Sequence, residues 1–260
     1  MRDTGYRILA DGVTASNDTW ATGLANHDLI IGPTGGGKTR GYVLPNLLSS
    51  QESFVVTDSK GTLRRQVGGI LERRGFQLLE LDFTDLLHSP WGYNPLRFIR
   101  YDMERECWNE QDIITVAAAL VPVEDKTQPF WEYAARNLLE ALIGYTLECL
   151  PAEEHDLTSV VRLFAEAETG VLDELMRELC TIDPDGFVAM RWRSLQTCRR
   201  ADKMYGSVLG ILSQKISNFS FAGARELFKN PNQIDFAAIS HTPTAVFVRV
   251  SDNDFSLNNL

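Results

Sequence analysis

Residues 29–39 read LIIGPTGGGKT, an apolar run that breaks into glycines and ends on a lysine and a threonine. The stretch satisfies the pattern G-x-x-x-x-G-K-[ST] through Gly32, Gly37, Lys38 and Thr39. Glycines allow successive backbone N–H groups to turn inward around a phosphate, because they carry no Cβ that would block the approach. The pattern therefore predicts a loop that holds the phosphates of a nucleoside triphosphate.

The sequence on either side of this loop supports the prediction. Residues 28–32 form a short apolar run that predicts a strand, and the stretch from Lys38 predicts a helix that Pro45 kinks or ends early. A loop between a strand and a helix places the helix N-terminus, with its partial positive charge, against the phosphates. The alternative is a glycine-rich turn without a ligand, and the flanking elements favour the nucleotide.

Residue types within the loop predict separate roles. We expect Lys38 to reach the β- and γ-phosphates of ATP and the Thr39 hydroxyl to bind Mg²⁺, so these two are the predicted catalytic residues. The loop residues predicted to contact ATP are Gly32, Pro33, Thr34, Gly35, Gly36, Gly37, Lys38 and Thr39.

Asp58 is a second candidate for the same site, because it ends the β-branched run SFVVTD at residues 53–58. The carboxyl ends of parallel strands form the edge of a sheet where ligands bind, so Asp58 could contact the nucleotide site and hold Mg²⁺ through water. It could equally cap a helix that begins near Gly61, as aspartate commonly does. Both roles use the same position, and the sequence leaves both open.

The remaining pattern predicts an α/β fold with an all-α insertion. Residues 53–58, 61–75 and 76–83 read as strand, helix and strand, which is typical of a parallel sheet with right-handed crossovers. From about 108 to 219 the apolar residues recur three and four apart, which predicts helices, and 244–252 returns to a strand pattern.

This change of pattern predicts a nucleotide-binding sheet that is interrupted by helices and then resumed. The predicted domain limits are 1–100 for the first part of the α/β domain, 101–220 for the all-α subdomain, and 221–260 for the return to the sheet, which is incomplete.

The composition is that of an ordinary globular domain, with 44% hydrophobic and 23% charged residues. A net charge of -10 disfavours broad non-specific binding of nucleic acid by this chain alone, because an acidic surface repels phosphate backbones. The four cysteines lie far apart, without the spacing of metal ligands. No secretory signal or apolar stretch of bilayer length is seen, so we expect this chain to be soluble.

Two further segments have both a structural and a functional interpretation. The aromatic side chains of PFWEYAARNLL at 129–139 could stack on nucleic-acid bases, but aromatics at helical spacing are more typical of core packing. The basic stretch at 190–203 could contact DNA or send an arginine to a neighbouring subunit, whereas the ordinary alternative is a solvated helix face with ion pairs.

In order along the chain, several segments resemble the TraG/TraD-like type IV coupling proteins, and the lead-in to the loop resembles their Gram-positive branch. The segments are IGPTGGGKTRGYVLPNLL, SFVVTDSKG, YNPL, PFWEYAARNLLEALI and TAVFVRVSDND. The resemblance runs from about residue 7 to 260. It implies a RecA/FtsK-like P-loop domain with an all-α insertion, a hexamer when complete, and delivery of DNA and relaxase substrates to a type IV secretion channel at the inner face of the plasma membrane.

Three departures from that family limit what the resemblance implies. Thr62 stands where the family usually has a glutamate after Asp-Pro-Lys-Gly, and the usual N-terminal membrane helices are not seen. The family also has a strand ending in Asp-Glu after the equivalent of TAVFVRVSD, and no apolar run in these 260 residues ends that way. Because those carboxylates position water and Mg²⁺, we expect a truncated chain with little ATPase activity alone.

The sequence therefore favours the ATP-binding portion of a conjugative coupling ATPase. One alternative is a non-hydrolysing nucleotide-binding module whose helical part recruits protein substrates, and another is a different P-loop DNA translocase. An unrelated P-loop kinase or GTPase is also possible, although the guanine-reading motif Asn-Lys-x-Asp is missing.

Overall fold

A computed structural model describes residues 5–251, which form two compact units. The first unit contains residues 5–84 and 234–251, and the second contains residues 85–233. The units change over between residues 84 and 85 and between 233 and 234, and the predicted domain limits at 100 and 220 stay a prediction.

A three-stranded parallel sheet organises the first unit. Its strands are β3 (Phe54–Thr57), β4 (Gln77–Asp82) and β7 (Thr244–Arg249), in the spatial order β3-β7-β4. Strand β7 pairs in parallel with both neighbours, so that Val55 and Leu79 both lie opposite Val246. The middle strand is thus supplied by the end of the chain, which confirms the predicted α/β fold with a sheet that is interrupted and resumed.

Two helices pack against this sheet through one apolar cluster. They are α2 (Leu44–Ser49) and α3 (Leu63–Arg73), and a four-residue helix α12 (Phe236–Ile239) precedes β7. The apolar residues of α3 recur at helical spacing, so Val67 and Leu71 face the same side and are buried. The buried residues of the cluster are Leu47, Leu63, Val67, Leu71, Phe76, Ala245 and Phe247.

A β-hairpin precedes the loop in the first unit. Strands β1 (Tyr6–Ala10) and β2 (Val13–Ser16) pair antiparallel, and Gly12 lies in the turn with φ +69°. A single helical turn, α1 (Thr19–Thr22), follows, with the Asp18 carboxylate accepting the amides of Trp20 and Ala21. The sequence did not predict this hairpin.

The second unit is largely helical, as its apolar periodicity predicts. The 20-residue helix α5 (Phe130–Cys149) packs against α8 (Phe187–Ser194) and α10 (Asp202–Ile216), and its residues Leu138, Leu139 and Leu142 are fully buried. The other elements are the two-residue strands β5 (Tyr101–Asp102) and β6 (Cys107–Trp108) and the helices α4 (Glu110–Leu120), α6 (Leu157–Ala165), α7 (Val171–Ile182), α9 (Gln196–Arg199) and α11 (Ala222–Lys229).

The aromatic segment at the start of α5 is not uniformly part of the core. Leu138 is buried, but Phe130 and Tyr133 are each about half exposed. The guanidinium of Arg136 lies 5.4 Å from the centre of the Tyr133 ring, on the same helix. The expectation of core packing is therefore wrong for these two aromatic rings and right for Leu138.

The strand predicted at residues 28–32 is not formed. Leu29 and Ile31 are 84% and 85% exposed, and the segment pairs with no strand among residues 5–251. An apolar run becomes a strand only where a neighbour accepts its backbone hydrogen bonds, and the described strands provide no such neighbour here. The segment instead leads into the glycine loop as irregular backbone.

Candidate functional site

The glycine loop makes a tight turn that depends on the absence of side chains. The amide of Gly36 donates to the carbonyl of Pro33 at 3.0 Å, and Gly35 and Gly37 have φ values of +76° and +82°. These are left-handed conformations, which side chains disfavour. A Cβ on Gly36 would lie 3.0 Å from the Pro33 oxygen, so this position also favours glycine.

Several amides of the loop are free to bind a ligand. Within residues 5–251, the N–H groups of Gly35, Gly37, Lys38 and Thr39 donate to no protein acceptor, and residues 33–40 are exposed. The helix that follows begins at Thr39, and no side chain caps its N-terminus. Free N–H groups and a helix N-terminus in one place form a site for an anion such as phosphate.

The side chain of Lys38 spans this loop. Its Nζ donates to the carbonyl of Gly32 at 2.6 Å and to the carbonyl of Pro33 at 2.9 Å. The amino group is thereby held at the start of the loop by acceptors that a phosphate oxygen can replace. The Thr39 hydroxyl, predicted to bind Mg²⁺, is exposed at the first position of the helix.

The helix after the loop begins with a wider turn than the sequence predicts. Residues Thr39–Val43 form a π-helical turn in which the Leu44 amide reaches the Thr39 carbonyl, and α2 continues from Leu44. Pro45 has no N–H for the carbonyl of Gly41, and its ring would crowd that carbonyl in a regular α-helix. Pro45 therefore does not end the helix, which continues to Ser49 after the wider turn.

The Asp58 side chain caps α3. Its carboxylate accepts the amides of Thr62 at 3.0 Å and Leu63 at 2.7 Å, with a longer contact of 3.4 Å to Arg64, and the residue is only 3% exposed. The capping role that the sequence left open is thus realised. A role of Asp58 in holding Mg²⁺ stays a prediction, because both carboxylate oxygens already accept amides.

The carboxyl edge of the sheet carries an ion pair that the sequence analysis missed. Arg249 ends β7, and its Nη1 lies 2.5 Å from Oδ2 of Asp82, which ends the neighbouring β4. The Asp82 carboxylate also accepts the hydroxyl of Thr84 at 2.6 Å. A Cβ on Gly61 would lie 3.1 Å from Nε of Arg249, so a glycine follows Lys60 where the guanidinium approaches the backbone. Charged residues at the ends of apolar runs were the available signal.

The arginines of the basic stretch at 190–203 are largely used inside the helical unit. Nε of Arg191 lies 2.7 Å from the buried Glu140, and the guanidinium of Arg199 pairs with Asp173 and lies 4.2 Å from the centre of the Trp192 ring. Arg193 donates to the carbonyls of Ala189 and Pro184. These contacts give the stretch a structural role, but the ion pairs join Arg191 and Arg199 to other helices and are not the pairs of a solvated helix face.

The described residues contain neither a cluster of metal ligands nor a membrane-spanning helix. Among the side chains that the structure describes, no group of three or more histidines, cysteines, aspartates or glutamates is arranged to hold a metal ion. None of the described helices is both long and apolar enough to cross a membrane.

The chain is similar to proteins of conjugative DNA transfer. A curated relative, the conjugal transfer protein TraG of Escherichia coli, is 26% identical over 238 residues, which cover 88% of this chain and 36% of TraG. The plasmid coupling protein TrwB in complex with the non-hydrolysable ATP analogue ADPNP matches with 14% identity and a TM-score of 0.45, over 96% of this chain and 56% of that structure.

TrwB in complex with ADP and Mg²⁺ matches with 14% identity and a TM-score of 0.43, over 96% of this chain and 55% of that structure. The chain thus spans about a third of the curated relative and little more than half of TrwB. The family profile described as type IV secretory system conjugative DNA transfer matches residues 4–259. The chain therefore belongs to the conjugative DNA transfer family of type IV secretion systems.

Proposed function

We propose that this chain is the nucleotide-binding portion of a conjugative coupling ATPase and that residues 32–39 bind ATP with Mg²⁺. The observation that carries the proposal is the set of free amides at Gly35, Gly37, Lys38 and Thr39, presented at the start of a helix. A triphosphate supplies several anionic acceptors close together, which is what such a set of donors binds best.

The loop residues have distinct roles in this proposal. Nζ of Lys38 exchanges a carbonyl acceptor for phosphate oxygens, and the Thr39 hydroxyl contributes a ligand to Mg²⁺ that the nucleotide brings. Asp58 supports the site by fixing the start of α3, and any contact of this carboxylate with Mg²⁺ runs through water.

The delivery of DNA and relaxase substrates to a secretion channel belongs to the complete protein in this proposal, as do the hexamer and its position at the membrane. The chain alone is expected to bind nucleotide with little turnover, because no apolar run in its 260 residues ends in Asp-Glu. ATPase activity at about 1 per second or faster would contradict that expectation.

Thermal unfolding with and without Mg–ADPNP tests nucleotide binding. The wild-type chain should be stabilised by the nucleotide, since a ligand that binds only the folded state raises the unfolding temperature. Lys38→Ala should abolish this shift. Lys126→Ala is the matched control, because Lys126 is an exposed lysine of the helical unit, and it should leave the shift unchanged. An equal shift in Lys38→Ala and wild type would overturn the site assignment.

A further inference from the structure

The Asp28 carboxylate connects three separate segments of the first unit. Its Oδ2 accepts a hydrogen bond from Nε of Arg7 at 2.7 Å and another from the hydroxyl of Tyr42 at 2.8 Å. Arg7 lies in β1, Asp28 in the segment that leads into the glycine loop, and Tyr42 in the π-helical turn that follows the loop. We call these three residues the Asp28 clamp.

The position of the clamp along the chain relates it to the glycine loop. Asp28 precedes Gly32 by four residues, and Tyr42 follows Lys38 by four residues. One carboxylate therefore joins the backbone entering the loop to the helix leaving it. Neither residue belongs to the phosphate-binding stretch itself.

The β-hairpin holds the clamp in place from the other side. Nη1 of Arg7 donates to the carbonyl of Ser16 and to Oδ1 of Asn26, each at 2.9 Å. The Asn46 side chain accepts the amide of Ile8 at 2.7 Å and donates to its carbonyl at 2.8 Å. The hairpin is thus attached to α2 independently of Asp28, which makes it a fixed support for Arg7.

The entry to the loop needs such a support because it has no strand partner among the described residues. Leu29 and Ile31 are mostly exposed, and the glycines that follow have more backbone freedom than other residues. A flexible entry lowers nucleotide affinity, because binding must then order the backbone that carries the donors. Fixing both ends of the loop beforehand reduces that cost.

The environment of the clamp suits a permanent contact. The side chains of Arg7 and Asp28 are only 16% and 14% exposed, so solvent and salt screen their attraction less than at a free surface. The hydrogen bond from Tyr42 holds the pKa of Asp28 below its ordinary value, and the hydrogen bond and charge of Arg7 add to this effect. Partial burial opposes both. Arg7 also balances the negative charge of a carboxylate in the segment that leads into the glycine loop.

We propose that Arg7, Asp28 and Tyr42 are positioning residues that hold the glycine loop ready for nucleotide. The inference rests on the proposed nucleotide binding. None of the three needs to contact the ligand, since Asp28 acts through the loop entry and Tyr42 through the helix.

Tyr42→Phe is the sharpest test, because it removes one hydroxyl and keeps the ring. Isothermal titration with Mg–ADPNP should show an affinity loss of about tenfold, because losing a hydrogen bond to a charged group leaves a smaller fraction of the free protein with its loop ready to bind. The matched control is Tyr6→Phe. Tyr6 is a half-exposed tyrosine of the β-hairpin that carries Arg7, and this variant should bind as wild type does. Asp28→Asn should weaken binding at least as much, and the double variant should lose less than the sum.

Additional measurements separate positioning from a general loss of stability. Urea unfolding of Tyr42→Phe should show a folded protein whose loss of stability does not exceed the contribution of one hydrogen bond. Hydrogen exchange in the unliganded variant should become faster at the bonded amides of the loop and the turn that follows it, those of Gly36, Gly41 and Leu44. If wild type binds, Lys38→Ala does not, and Tyr42→Phe binds with unchanged affinity, the clamp proposal is wrong and the proposed function stands. If wild type itself fails to bind Mg–ADPNP, both are wrong.

Discussion

The replacement of Asp58 by alanine tests which of its two roles dominates. The carboxylate is almost fully buried and accepts the amides of Thr62 and Leu63 at the start of α3. Alanine cannot accept these bonds, and the bond from the Leu63 amide is buried. We therefore expect Asp58→Ala to destabilise the first unit even when neither nucleotide nor metal is present.

The expected cost follows from those contacts. Loss of a capping side chain costs about 1 kcal/mol. Leaving a buried amide without an acceptor costs a further 1–3 kcal/mol, roughly, for the better buried of the two. The sum is about 3 kcal/mol. Asp235→Ala is the matched control, because Asp235 caps the short helix α12 from an exposed position, so its removal should cost only about 1 kcal/mol.

The assay must report on the first unit specifically. Four of the five tryptophans lie within 85–233, and the fifth, Trp20, is 98% exposed, so tryptophan fluorescence would mainly follow the helical unit. Hydrogen exchange at the amides of α3, combined with urea unfolding followed by circular dichroism, reports on the helix that Asp58 caps.

The two roles give opposite results in this assay. If Asp58 acts as a cap, exchange in α3 accelerates equally with and without Mg²⁺ in the absence of nucleotide. If Asp58→Ala leaves the stability of α3 unchanged and instead abolishes the Mg²⁺ dependence of nucleotide binding, the capping argument is refuted and the carboxylate serves the metal.

Two further predictions concern the helical unit. Burial raises the pKa of Glu140 above its ordinary value of 4.5, although Arg191 opposes the shift. The native state then holds the proton of Glu140 more tightly than the unfolded state does. The protonated carboxyl therefore contributes stability below pH 4.5, and this contribution is lost as pH rises through the raised pKa. The wild-type free energy of unfolding, measured in urea at about pH 4 and pH 7, should therefore exceed that of Glu140→Gln by a larger margin at the lower pH. A difference that does not depend on pH would contradict this. Gly144→Ala should cost about 1–3 kcal/mol, because a Cβ there would lie 2.7 Å from Cγ2 of Val188; unchanged thermal unfolding would show that α5 and α8 can separate without cost.

The features that the sequence predicted correctly are set by local chemistry. The glycine loop could be recognised because left-handed backbone at Gly35 and Gly37 needs glycine, whatever surrounds it. Helix α3 could be located because its apolar residues follow the helical period, and strand β4 because a short apolar run follows the glycine that ends this helix. The helical region between β4 and β7 could be recognised from the helical period as well.

The features that were missed depend on partners distant in sequence. The run at 28–32 has the composition of a strand, but a strand also needs a neighbour, and composition cannot supply one. The pairs Arg7–Asp28 and Asp82–Arg249 join residues 21 and 167 positions apart, so no local pattern marks them. Asp58 was located correctly, yet its capping contacts could only be distinguished from metal binding once the helix start was defined.

The arrangement of the sheet has a consequence for how the protein folds during synthesis. Strands β3 and β4 leave the ribosome early, but they do not pair with each other, because β7 lies between them. Until the entire helical unit has been translated, each of these apolar strands has an open side that β7 will later occupy. We therefore expect nascent chains that end before Thr244 to aggregate or to bind chaperones, even where their helical unit is already folded.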